Sequence, residues 1–162
     1  MKREYPLNAL GLSHQFMAAH ICAGDTVIDG TAGRGRDALF LCRLVGESGR
    51  VLALDIQADA VAQTTALLTD EGVAHRAEVV QTCHSRLAAL AAPGSVDGIM
   101  FNFGWLPGGD HNTFYAPTLT FIQDSFTARS VFRPTCLLLC LPLRVWQVGV
   151  LTEWKSWLPA VA

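Results

Sequence analysis

The chain has 162 residues, room for one domain with a hydrophobic core and too few for two. Apolar residues make up 51% and charged residues only 16%, which excludes a disordered chain. A net charge of −2 and a pI near 6.2 lack the basic footprint of a nucleic-acid binder, so any RNA contact must come from a local patch. The close basic pairs are Lys2-Arg3 and Arg34 with Arg36.

The five cysteines (Cys22, Cys42, Cys83, Cys136, Cys140) show neither metal-ligand spacing nor an even disulfide framework. They read as thiols of a reducing cytosol, with no metal expected. The N-terminus lacks a basic segment followed by an apolar run, so no secretory signal is evident. The apolar stretch from Cys136 to Leu143 is broken by Pro142 and Arg144, far short of the ~20 residues of a membrane helix. A cytoplasmic protein without membrane contact is expected.

In chain order, residues from about Leu7 to Ala23 have helical spacing, with Leu10, Phe16, Met17 and Ile21 apolar and Gly24-Asp25 as a stop. Thr26 to Asp29 is a short apolar strand entering a glycine-rich turn. A helix from about Asp37 to Val45 ends at Gly46. Arg50 to Asp55 is a second strand that also finishes on an acid. Gln57 to about Glu71 is helical, closed by Gly72. Glu78 to Val80 is a third strand, and Ser85 to Ala91 a short helix before Pro93-Gly94. Asp97 to Asn102 is a fourth strand, leading into a Gly/Pro loop through Asp110. Thr118 to Val131 reads as a helix and Cys136 to Leu141 as a fifth strand.

Strands alternating with helices imply right-handed crossovers and one α/β domain over residues 1–162, a mainly parallel sheet with helices on both faces. Ligands of such sheets bind outside the carboxyl ends of the strands. Asp29, Asp55 and Asn102 each end a predicted strand and therefore converge on one rim.

The first strand opens into Asp29-Gly30-Thr31-Ala32-Gly33-Arg34-Gly35. Its glycines allow positive φ and close approach of backbone to a ligand. The dinucleotide fingerprint is G-x-G-x-x-G. Here the order is reversed, G-x-x-G-x-G, with an acid before it, and this order resembles motif I of S-adenosylmethionine (SAM)-dependent methyltransferases. Asp55, about twenty residues on, suits the two hydroxyls of an adenosine ribose, a device that nicotinamide enzymes share. Loop order favours SAM over a nicotinamide cofactor. The candidate cofactor contacts are Asp29, Gly30, Thr31, Gly33, Gly35, Asp37, Asp55, Ile56, Gln57, Asn102 and His84, the last placed after the third strand on the adenine side.

After the fourth strand comes Phe101-Asn102-Phe103-Gly104-Trp105-Leu106-Pro107-Gly108-Gly109-Asp110-His111. Asn102 and Trp105 stand in the relation of the N/D-P-P-Y/F/W motif of amino-methyltransferases. A strand-end amide carbonyl can accept a hydrogen bond from a substrate amine, and the aromatic ring offers a stacking face for a base. Catalysis is then mostly positioning, with removal of one proton, for which Asp110 and His111 are the nearby candidates.

The run Asn102 to Asp110 is similar to the N-L-G-Y-L-P-G-G-D signature of the rRNA methylase family of small bacterial SAM enzymes. Asp29 to Asp37 is similar to that family's D-A-T-x-G-N-G-x-D-T, Leu54-Asp55-Ile56-Gln57 to its F-D-I-Q, and Ser13-His14 to its early S-H. The resemblance runs from about Ser13 to Phe121. It implies a Rossmann-like class I methyltransferase fold, SAM as cofactor, and tRNA as substrate. Relatives methylate the exocyclic amine of 5-aminomethyl-2-thiouridine at the wobble position.

There are departures. Arg34 and Arg36 replace the family's Asn and His in motif I. After the helix near Thr118, the family's Y-x-G-H-x-x-G element has no counterpart between Cys136 and Gln147. Leu151 to Lys155 again resembles the following family helix, and the closing strands are missing. Roughly Ser125 to Val150 is expected to be a divergent or frame-shifted stretch of a truncated copy. An incomplete sheet edge would favour a homodimer. Two alternatives stay open: a catalytically impaired SAM-binding protein, and a nicotinamide-dependent oxidoreductase.

Overall fold

The computed structural model describes residues 9–102 and 132–141, the latter ten as backbone. The chain opens with α1 (Ala9–His20) and continues through β1 (Thr26–Asp29), α2 (Arg36–Val45), β2 (Arg50–Asp55) and α3 (Ala58–Asp70). A single 3-10 turn (Ala74–Arg76) leads to β3 (Ala77–Gln81). A second 3-10 turn (His84–Arg86) runs directly into the short α4 (Leu87–Leu90). Then come β4 (Val96–Asn102) and β5 (Phe132–Leu141).

All described strand pairs are parallel, in the order β3-β2-β1-β4-β5. The chain moves outward from β1 to β3, then returns past β1 to begin β4. The order therefore reverses between β1 and β4, and the crevice at the carboxyl ends of those two strands is where such sheets receive ligands. β1 is the shortest described strand, with Val27 and Ile28 fully enclosed.

Alternation along the strands divides the core into two layers. Val27, Val51, Ala53 and Met100 face α1, α2 and α3, meeting Met17, Ile21, Leu41, Cys42, Val45 and Leu68. Ile28, Leu54, Ile99 and Phe101 face the other way, where Leu87 of α4 packs. Each enclosed aliphatic side chain contributes roughly 1.5–3 kcal/mol relative to exposure. Helices thus cover both faces, as the alternating pattern predicts.

Three elements differ from the sequence expectation. The stretch read as one helix from Ser85 is a 3-10 turn followed by one α-helical turn, and Ala91 is already extended at φ −126° ahead of Pro93-Gly94. The turn at Ala74–Arg76 is additional. β5 starts at Phe132 rather than Cys136 and takes Pro134 into the strand. Val96 pairs with Phe132 while Gly98 already pairs with Leu137, an irregularity that absorbs the extra residues around the proline. A proline cannot serve a regular interior ladder, and it sits where the ladder is broken. The expected helix Thr118 to Val131, the loop from Phe103 and the divergent segment beyond Leu141 lie outside the described residues.

Candidate active site

The site is built from the carboxyl ends of β1, β2 and β4. Asp29 ends β1 and is 1% exposed. Its Oδ1 accepts the Thr31 amide at 3.1 Å, closing the first turn of the loop. Its Oδ2 is enclosed and has no hydrogen-bond partner among the described residues. Burial, and then the neighbouring Asp37, push the Asp29 carboxyl up to about 8, against the pull of the Thr31 and Ala38 amides. A carboxylate held this way is short of positive charge.

Gly30 passes directly over the Phe101 ring: a Cβ there would lie 2.1 Å from it. Only glycine permits the chain to cross the sheet edge at that height. Gly35 caps α2 at φ 80° against the Thr64 backbone of α3, a second position closed to other residues. Thr64 is fully buried and donates to the Gly33 carbonyl at 3.2 Å, fastening the loop to α3.

The loop amides are spent inside the protein. Gly30 donates to the Met100 carbonyl, Ala32 to that of Leu54 and Gly35 to that of Ala32. Gly33 donates to Asp55 Oδ2 at 2.9 Å, and Thr31 to Asp29 as described. Asp55, at the end of β2, also accepts the Gln57 amide on Oδ1 at 2.9 Å, so each of its oxygens retains a free acceptor direction. Ile56 and Gln57 continue this turn into α3, and the Ile56 carbonyl accepts Gln81 Nε2.

A second cluster lies at the β1–β4 crevice. Asp37, in the first turn of α2, is 7% exposed. His14 Nε2 lies 2.7 Å from its Oδ1, and Asn102 Nδ2 donates to its Oδ2 at 3.5 Å. The Asn102 amide nitrogen donates to Thr31 Oγ1 at 2.7 Å, which locks the end of β4 to the glycine loop. The His14 ring stacks on Phe40 with centroids 3.9 Å apart and planes 2° from parallel.

The residues expected at the site thus separate into two touching groups. Asp29, Thr31, Asp37 and Asn102 meet at the crevice, while Gly33, Asp55 and Gln57 meet at the β2 end. His84 is buried, edge-on to Phe101 at 5.4 Å between centroids, and so stands behind the ring that supports Gly30. Trp105, Asp110 and His111 lie outside the described residues. His14, Thr64 and Phe101 carry no role that their sequence pattern assigns. Thr64 was signalled as the polar member of the inward stripe Ala60, Thr64, Leu68 on α3. Ser13-His14 matches the family's early S-H, but that match names no partner for His14, and Asp37 is 23 positions away.

Among the described residues no group of three or more His, Cys, Asp or Glu is arranged to hold a metal. No helix among them is long and apolar enough to cross a membrane.

Comparison with known proteins bears on the whole arrangement. The family model described as "Putative rRNA methylase" matches residues 51–129. The crystal structure of a rRNA-methylase of that description from Clostridium thermocellum is 38% identical, with a TM-score of 0.70 over 82% of this chain and 68% of that one. A methyltransferase from Streptococcus mutans, solved in complex with SAH, has the same fold at 21% identity, with a TM-score of 0.70 over 86% of this chain and 73% of that one. Among curated proteins, a chloroplastic tRNA (mnm(5)s(2)U34)-methyltransferase from Arabidopsis thaliana is 36% identical over 112 residues, 63% of this chain and 40% of that protein. Ribosomal RNA small subunit methyltransferase H from Xylella fastidiosa (strain 9a5c) is 35% identical over 79 residues, 49% of this chain and 24% of that protein. The chain therefore spans less than half the length of these curated relatives. Fold, loop and relatives agree, and the chain belongs to the "Putative rRNA methylase" family of SAM-dependent methyltransferases.

Proposed function

We propose that the chain binds SAM at the β1–β2–β4 rim and transfers its methyl group to the exocyclic amine of a modified wobble uridine in tRNA. The observation that carries this is the state of the glycine loop. Five of its amides are already bonded to internal carbonyls and carboxylates, and three aspartates stand around it. A pyrophosphate needs the opposite, free amides at a helix N-terminus and no crowd of acids. That argues against a nicotinamide cofactor. SAM carries no phosphate and bears an ammonium and a sulfonium, so an acidic rim suits it.

The residues present fit the cofactor at two further points. Asp29 keeps a buried oxygen without a described partner, suited to the methionine ammonium. Asp55 keeps one acceptor direction on each oxygen, suited to the two ribose hydroxyls. Bound SAM supplies an electrophilic methyl group on sulfur. The acceptor nitrogen's lone pair forms the new C–N bond, and the C–S electron pair stays on sulfur. The amine then gives up one proton. Asn102, exposed at the end of β4, would accept a hydrogen bond from the amine and aim its lone pair along that line. Trp105 is proposed as the stacking face for the base, and Asp110 or His111 as the proton acceptor. The tRNA substrate is supported by the likeness to the Arabidopsis thaliana enzyme and by the Asn102–Asp110 signature.

The test is incorporation of labelled methyl from SAM into tRNA isolated from a strain lacking this modification, with Asp29→Ala as control. Incorporation well above the control is expected. Incorporation no greater than with Asp29→Ala, while calorimetry shows SAM bound by the parent, would instead identify a SAM-binding chain impaired in transfer. The departure from the family pattern after Ser125 is what favours that second reading.

A further inference from the structure

We propose that His14, acting through Asp37, is a positioning residue that fixes which end of the Asn102 amide faces the methyl acceptor. The inference rests on Asn102 being the amine's acceptor as set out above. An asparagine side chain has two nearly isosteric ends with opposite chemistry, a carbonyl that accepts and an NH2 that donates. A substrate amine whose lone pair must point at the donor methyl has only N–H groups to offer elsewhere. It is held productively by the carbonyl and turned away by the NH2. Something must therefore choose between the two orientations.

Asp37 makes that choice. Its Oδ2 receives Asn102 Nδ2 at 3.5 Å, so the NH2 end is drawn inward and the carbonyl end is left to the exposed side of the rim. At 3.5 Å this contact is long, and it orients only if Asp37 itself cannot swing. His14 prevents the swing, with Nε2 at 2.7 Å from the other carboxylate oxygen. An ionised carboxylate has no proton to give, so the bond requires the proton on His14 Nε2. The imidazole is immobilised in turn by parallel stacking on Phe40. It projects from α1, whose later residues Met17 and Ile21 pack against Gly98 of β4. The Asn102 backbone is held separately by Thr31 Oγ1. His14 thus governs the side-chain amide rather than the path of the strand. This chain of contacts includes neither the loop amides nor Asp55, although Asp37 also neighbours Asp29, so methyl transfer should respond to it far more than cofactor affinity does.

The experiment compares the full chain with His14→Phe, which keeps a ring to stack on Phe40 and removes the donor, and His14→Gln, which restores a donor at about the position of Nε2. On the proposal, His14→Phe lowers kcat for methyl transfer to hypomodified tRNA by up to ~100-fold, the scale of losing a productive geometry. Its SAM Kd changes far less than its kcat, its melting temperature falls by a few degrees for the lost bond to the buried carboxylate, and His14→Gln recovers most of both losses. The Asn102 side-chain NH2 resonances, assigned through Asn102→Asp, move in His14→Phe and return in His14→Gln. They are read on the SAM-saturated chain and need no turnover, so they decide the matter even where transfer is slow. Parental Asn102 resonances in His14→Phe, or a His14→Gln variant as defective as His14→Phe, would overturn it. Should His14→Phe not fold, Asp37→Asn reads the same NH2 pair with the opposite partner removed. Asn102→Ala separates this inference from the reading it depends on. Parental kcat in Asn102→Ala sinks the acceptor role, whereas an inactive Asn102→Ala beside an unaffected His14→Phe sinks the His14 role alone.

Discussion

Asp29 is enclosed by the sheet end and sits beside Asp37, and its carboxyl titrates at about 8 instead of the ordinary 3.8. In the unfolded chain the same group would lose its proton near pH 4. Between those values the folded state binds the extra proton, so stability falls as pH rises through the window and levels off above about pH 8. The slope is bounded at ~1.4 kcal/mol per pH unit for one group. Asp29→Asn keeps an acceptor for the Thr31 amide and removes the titration. Urea unfolding across pH 5 to 9 is expected to show a clearly flatter profile for Asp29→Asn, with the variant more stable than the parent at the alkaline end. Equal slopes for the two proteins would show that the proton is not on Asp29. The variant is also expected to bind SAM much more weakly, because the Asp29 carboxyl can give up its proton to meet the ammonium and a neutral amide cannot.

Asp55 is sensitive even to a conservative change. Both oxygens accept backbone amides, Gly33 on one and Gln57 on the other. Asparagine can present only one acceptor and turns an NH2 toward the second amide. Asp55→Asn is therefore expected to cost ~1–3 kcal/mol in urea unfolding, close to the cost of Asp55→Ala. A parental midpoint for Asp55→Asn would mean that the two amides are satisfied in some other way.

Among the elements, the β1–α2 loop depends on what lies beneath it. Gly30 crosses Phe101 with no space for a methyl group. Gly30→Ala is expected to destabilise by ~1–3 kcal/mol through overpacking. Combining it with Phe101→Leu should restore part of the loss even though Phe101→Leu alone is destabilising, since the leucine vacates the space the new Cβ needs. Chemical denaturation of the two single variants and the double variant measures this coupling. Strict additivity would show that the ring is not the obstacle.

The same elements show what could be read from sequence. Each described strand contains an apolar stretch, and β1, β2 and β4 end on the polar residues of the rim, so their positions and the rim itself are legible. Helix ends were off by one to three residues, as fraying termini allow. The 3-10 turn at Ala74–Arg76 and the early start of β5 were not legible, because each depends on contacts distant in sequence. Arg76 reaches the Cys42 carbonyl 34 positions away, and β5 is set by its irregular register on β4. Within the site, the carboxylates and glycines announced themselves by spacing. His14–Asp37 and Thr64–Gly33 join residues 23 and 31 positions apart, and no local pattern encodes that.

At the scale of the molecule, the sheet order converts three separate strand ends into one acidic rim on a chain whose net charge is only −2. Asp29 and Asp37 meet at the β1–β4 switch point, and Asp55 stands one strand away. Such a rim discriminates by charge before it discriminates by shape. A cofactor with a net positive end gains from it, and one with a diphosphate meets three carboxyl groups and a loop with five of its amides already bonded. Ligand binding to the folded state alone stabilises it by RT ln(1 + [L]/Kd), about 2.7 kcal/mol at a hundredfold excess over Kd. Saturating SAM is therefore expected to raise the melting temperature by several degrees, as such a free energy does for a chain of this size. NAD+ or NADH at the same concentration is expected to leave it unchanged. The shift with SAM should vanish in Asp29→Ala and shrink in Asp55→Ala, since the first removes the proposed site of the ammonium and the second that of the ribose. A melting shift with NADH and none with SAM would reverse the cofactor assignment and bring back the oxidoreductase alternative.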